Sequence, residues 1–115
     1  MSQIQWSDST GLEVTFHSAM LRVYRTARDE CGYTAARFLQ ATKKHGGVTY
    51  AKRLLAMSET SEGFKRLTEM HRLDIAMESV ILQPVFRPLF TDEELTIAQS
   101  RLDEAYASYK EQGTK

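Results

Sequence analysis

The sequence predicts an all-α fold, a compact irregular or orthogonal bundle of five to six helices. Three observations predict it. Apolar residues recur at spacings of three and four, the period of a helix with one buried face. Alternating strand patterns are absent, and only two prolines and six glycines interrupt the 115 residues. Helix start and stop signals follow one another closely, so the connections are short.

Each element follows from its own residues. Residues 1–11 read as a polar N-terminal arm, with Ile4 and Trp6 placed to pin it to the body. Residues 12–112 form a single helical domain, and 113–115 should fray. A first helix over 12–31 carries Phe16, Met20, Val23, Ala27 and Cys31 on one stripe, with Arg22, Arg25 and Arg28 on the other side. Gly32 is placed as its left-handed stop. Thr34 would cap a second helix over 35–45, with Phe38, Leu39 and Thr42 inward. After Gly46-Gly47, a third helix over 48–57 turns Val48, Ala51, Leu54 and Leu55 to the core. Ser61 would cap a fourth, 62–71, with Phe64, Leu67 and Met70 inward. The fifth, 74–83, is apolar around nearly its whole circumference and therefore belongs at the centre of the bundle. Pro84 ends it. Phe86, Leu89 and Phe90 should plug the bundle, since exposing them is costly. Thr91 and Glu94 then form a capping box, opening a last helix that runs to 112.

Composition bounds the function. An apolar share of 42% and a charged share of 26% exclude wholesale disorder and disulfide-dense scaffolds. No apolar run approaches the ~18 residues of a membrane span, and the first ten residues lack a basic-then-apolar signal pattern. Lone Cys31 has no internal disulfide partner, which fits a cytoplasmic location. Fifteen basic and fifteen acidic residues cancel, but unevenly: net −1 over 1–36, +5 over 37–72 and −4 over 73–115. The basic segment either pairs internally or offers a phosphate-binding surface through Arg37, Lys43, Lys44, Lys52 and Arg53.

Few constellations carry chemistry. His71, Asp74 and Glu78 have metal-like helical spacing, and Glu13 with His17 could face them. The paired Glu-x-x-His pattern of bundle metal sites is absent, so no metal and no cofactor are expected. Asp74 is better placed as a cap. Glu78, on an otherwise apolar helix, should be partly buried, and a buried carboxylate needs a partner. The expected structural ion-pair set is Glu78, Arg37, Arg72 and Asp74. Cys31 falls on the apolar stripe and reads as a core thiol. No nucleophile elbow, phosphate-cradling loop or paired-Cys pattern occurs, so no catalytic residue is assigned and no enzyme is expected. The last helix offers Leu95, Ala98, Leu102, Ala105 and Tyr109 either to the chain's own core or to a homodimer seam.

From Phe16 to Leu102 the chain resembles an uncharacterised bacterial family of small helical domains. The resemblance rests on Cys31-Gly32-Tyr33, Arg37-Phe38-Leu39-Gln40, His45-Gly46-Gly47, Ala51-Lys52-Arg53-Leu54-Leu55, Gly63-Phe64, Arg72-Leu73-Asp74 with Glu78 and Val80, and the run Leu89-Phe90-Thr91-Asp92-Glu93-Glu94-Leu95. Thr68 and Met70 stand near a point where similar sequences tend to carry an aromatic. The resemblance implies an all-helical fold and a bacterial cytosolic origin, and it supplies no activity. The expected function is a non-enzymatic protein-interaction or accessory module, acting on a protein partner or on a second copy, without membrane contact. The alternative is a nucleic-acid-associated factor gripping phosphate backbone through residues 37–72.

Overall fold

The computed structural model describes the backbone of residues 2–113 and the side chains of residues 11–111. Six α-helices run as α1 (Ser2–Cys31), α2 (Ala36–His45), α3 (Gly47–Ala56), α4 (Glu62–Glu69), α5 (Met77–Ile81) and α6 (Asp92–Gly113). Two 3₁₀ turns, Leu73–Ile75 and Arg87–Leu89, flank α5. The chain is an all-α bundle, with no strand among the described residues.

Helix α1 begins at Ser2, so the stretch expected as an irregular arm has helical backbone. Nothing before Gly11 breaks a helix, and one exposed glycine is tolerated within one. The pinning side chains Ile4 and Trp6 lie outside the described residues, as do residues 114–115. Downstream, Phe16, Met20, Val23 and Ala27 are buried, as the stripe predicts, and Cys31 is half-buried. Gly32, at φ 69°, closes the helix: its N–H donates to Arg28 O and that of Tyr33 to Ala27 O.

Helix α2 starts one residue later than expected. Ala35, not Thr34, is the capping position, and no side chain caps it. Ser61 does cap α4, accepting from the Phe64 N–H at 3.1 Å. The capping box of α6 closes both ways. Glu94 N–H donates to Thr91 Oγ1 at 3.1 Å, and Thr91 N–H donates to Glu94 Oε1 at 2.9 Å.

The single central helix expected over 74–83 is broken in two. Ala76 is extended (ψ 152°) between the first 3₁₀ turn and α5. The break serves two cores. Leu73 and Ala76 enter a cluster with Ala27, Phe64, Leu67, Leu102 and Ala105. Met77, Val80 and Ile81 enter another, around Phe16, Met20 and Leu55. A straight helix would wrap these apolar residues around its own axis, whereas the bend turns each group toward its cluster. The Ser79 hydroxyl spans the bend, donating to Leu73 O at 2.6 Å. The segment's centrality survives: Ala76, Met77, Glu78, Val80 and Ile81 are all buried.

Two of the contacts that hold α1 to the rest are an aromatic cluster and a hydrogen bond. Phe16 meets Phe86 and Phe90 edge-on, at centroid distances of 5.2 and 5.3 Å. This is the aromatic plug expected of the 85–90 segment, although Val85 remains exposed. At the other contact, α3 begins directly on α1. Gly47 N–H donates to His17 Nδ1 at 2.9 Å, so an imidazole on one helix caps another. A Cβ on Gly47 would stand 2.8 Å from the His17 Cα.

These contacts give two alanine substitutions opposite signs. Gly47→Ala should lower stability by about 1–3 kcal/mol, as overpacking against backbone does. Gly11→Ala, in a helix with nothing within 4 Å, should raise it by about 0.5–1 kcal/mol. Urea denaturation of the two variants measures both.

Candidate binding groove

The chain between α1 and α2 and the chain between α3 and α4 run over one face of the bundle, and a groove of about 900 Å³ lies between them. Its aromatic wall comes from local sequence. The glycine stop at 32 swings Tyr33 out of α1, and Arg66 stacks over the Tyr33 ring at 5.2 Å. Phe38 on α2 meets Tyr50 on α3 edge-on at 5.7 Å. Burial, then the neighbouring Tyr33, pushes the Tyr50 phenol above its ordinary value. At the end of α3, Met57 is 59% exposed on the groove. The rim is mixed in charge, with Arg37 and Lys65 beside Glu59 and Glu62.

The groove continues inward. Tyr33, Ala35, Phe38, Leu54, Ser61 and Gly63 also line a chamber of about 30 Å³, room for a water-sized group. Its inner wall includes Val23, Ala27, Leu67 and Met77, together with Glu78. Glu78 is 2% exposed. Burial pushes its carboxyl above the ordinary carboxylate range, against the opposing effects of its own backbone N–H and of Arg101.

Arg101, on α6, is the partner that sequence reasoning missed. Its Nη1 lies 3.5 Å from Glu78 Oε2. The same guanidinium donates to Leu54 O at 3.2 Å and to Met57 O at 2.8 Å, tying down the last turn of α3. A signal was present. Residues 98, 101, 102 and 105 share one helix face, so Arg101 interrupts the buried stripe of Ala98, Leu102 and Ala105.

The expected ion-pair set is therefore corrected. Arg72 pairs with Asp74 at 3.1 Å and with Glu30 at 2.8 Å, at the surface and away from Glu78. These bonds, Asp74's first, raise the Arg72 pKa, and the bond from Arg72 holds the Asp74 carboxyl below its ordinary value. Asp74 caps nothing, since Ala76 precedes α5 without a side-chain cap. Arg37 is exposed on the groove rim.

The phosphate-contact set is also divided. Lys52 faces inward along the surface, 2.7 Å from Glu94 and 5.0 Å from the Phe90 ring centre. Burial raises the Glu94 carboxyl, but the bonds from Lys52 and Thr91 prevail and hold it below its ordinary value. Lys43 and Lys44 are exposed at the end of α2. Arg53 lies 3.4 Å from His45 Nε2. Partial desolvation, then Arg53 and Lys44, holds the His45 imidazole below its usual value.

The stripe offered as a dimer seam serves the chain's own core. Ala98, Leu102 and Ala105 are buried, and Leu95 packs against the Phe16 cluster. Tyr109 donates its hydroxyl to Thr68 O and stacks on His71 at 4.1 Å. His71 stands at φ 59°, a strained conformation for a non-glycine residue. With His71 on Tyr109, Asp74 on Arg72 and Glu78 on Arg101, the metal-like triad is not brought together. Among the described residues, no group of three or more His, Cys, Asp or Glu could hold a metal ion. Nor is any described helix long and apolar enough to cross a membrane. Compared with protein-family models, curated proteins and solved structures, the chain matches none.

Removing Arg101 leaves the Glu78 charge buried without its counterion. Arg101→Met should therefore lower stability by about 3–5 kcal/mol. Arg37→Met, at an exposed rim, should change it by no more than about 0.5 kcal/mol. Chemical denaturation of both variants at neutral pH distinguishes this arrangement from one in which Arg37 is the partner.

Proposed function

We propose that this chain is a non-enzymatic interaction module of a bacterial cytosolic system, and that it takes a segment of a protein partner in the groove between residues 33–38 and 50–65. The observation that carries the reading is the groove itself. Tyr33, Phe38, Tyr50 and exposed Met57 line it, a mixed-charge rim surrounds it, and it leads to a buried carboxyl. Aromatic and methionine side chains are the residues that anchor partner segments at interfaces. Selection of displayed peptides against the immobilised protein tests the reading. Peptides that bind wild type should lose affinity at least about tenfold on Met57→Glu, as truncation of an interface anchor does. They should keep it on Val85→Glu, a substitution of an equally exposed residue on another face. Equal binding to both variants would place recognition elsewhere.

One observation favours a second reading. Lys43, Lys44, His45 and Arg53 gather at the α2–α3 corner, and among the described residues no acid forms an ion pair with Lys43, Lys44 or Arg53. Such a corner fits phosphate backbone. If it binds nucleic acid, affinity for random duplex DNA falls steeply with salt, and Lys43→Glu with Lys44→Glu lowers the log–log salt slope by about 2. Absence of binding at low salt removes the second reading.

A further inference from the structure

We propose that the chamber at the inner end of the groove receives a lysine side chain of the bound segment, its ammonium against Glu78 and its methylene stem along Phe38 and Leu54. The proposal rests on the groove being the docking site and adds what that site recognises. Three observations carry it. The first is size. The chamber holds about 30 Å³, room for one water-sized group such as a compact ammonium. The second is composition. Its lining is apolar apart from Glu78, Ser61, Tyr24 and Tyr33, and Tyr33 and Phe38 also line the groove outside it. An apolar passage between aromatic rings, ending on a carboxylate, complements an aliphatic cation. The third is charge. Arg101, which among the described residues is the cation paired with Glu78, stands 3.5 Å away and divides its donors among that carboxylate and two carbonyls of the α3 end. Arg101 lies outside the lining of the chamber, so a second cation would approach the carboxylate from the groove side. Besides Glu78, the titratable groups lining the chamber are the phenols of Tyr24 and Tyr33. At the mouth, exposed Glu59 and Glu62 stand beside Arg37 and Lys65, and Lys65 lies 3.8 Å from Glu59.

The probe is n-butylammonium, with 1-butanol as its neutral counterpart, each titrated into the whole chain and followed by NMR chemical shifts. Butylammonium should bind saturably, shifting resonances of residues 33–38, 54 and 63–64. Butanol should bind at least about tenfold more weakly, as loss of a charge-assisted hydrogen bond predicts. Glu78→Gln should abolish the preference. If that variant does not fold, acidifying the wild type through the titration of the Glu78 carboxyl, followed by NMR, serves instead. Protonating the carboxyl must then weaken butylammonium and leave butanol unchanged. Equal affinities for the two probes, or a preference that survives both Glu78→Gln and acidification, overturn the proposal. Peptides that bind through the groove but tolerate lysine→norleucine replacement refute the lysine assignment and leave the docking reading intact. If no groove-dependent peptide is found, the docking reading fails, and the butylammonium titration still decides what the chamber binds.

Discussion

A carboxylate removed from water is the constraint around which this bundle is arranged. Glu78 sits on a helix of five residues, far too short to be stable by itself, and is 2% exposed. Its own backbone N–H and Arg101 oppose the cost of that burial, and Arg101 reaches it across the α5–α6 contact while also donating to the carbonyls that end α3. One guanidinium thus joins three elements. It fixes how far along α6 the short helix docks, and it places the exposed Met57 at the end of the groove. The candidate site and the architecture share this pair, so a change in either partner should be felt in both.

The rest of the bundle is fastened to α1 by contacts of a different kind. Phe16 receives Phe86 and Phe90 edge-on and closes the Phe16 cluster from the side of the 3₁₀ turn. Gly47 lets the start of α3 approach the α1 backbone, and His17 supplies the acceptor that α3 lacks in its own sequence. That bond needs an unprotonated Nδ1, so the α1–α3 junction holds an imidazole with its proton on Nε2. Lys52, paired with Glu94 over Phe90, links the same helix to the start of α6. The positive middle of the chain therefore spends part of its charge internally and presents the remainder at the α2–α3 corner and the groove rim.

How much of this was legible depended on whether the signal was local. The capping box at Thr91 and Glu94, the cap at Ser61, the glycine stop at 32 and the apolar stripes of α1, α3 and α6 all act within a turn or two of the chain, and each appears where the residues imply it. The break at Ala76 was not legible. An apolar run around a full circumference is consistent with one central helix and equally with a bend that shares its side chains between two cores. The partner of Glu78 was missed for a related reason. Periodicity places Glu78 on an apolar helix but does not say which helix crosses it, and Arg37 stood out as a partner because it opens the second helix among apolar neighbours. The groove was invisible because its residues come from 33–38 and 50–65, whose juxtaposition is set by the fold. The stripe on α6 was read correctly as apolar. Only the fold decides that it faces the chain's own core.

The central claim is that Glu78 is held at a cost that its counterion offsets only in part. Its carboxyl is raised above the unfolded value. Its contribution to stability is therefore fully present below the ordinary carboxyl pKa and is lost as pH rises through the folded value. The direct test is the stability of wild type minus that of Glu78→Gln, measured by urea denaturation between about pH 5 and about pH 8. Asp74, Glu94 and the other titrating groups are common to both chains and cancel. The difference should move in favour of the wild type as the pH falls. A difference that stays flat, or moves toward the glutamine variant on acidification, would mean that Glu78 is a fully compensated ion pair and would contradict this account of the fold and of its inner chamber.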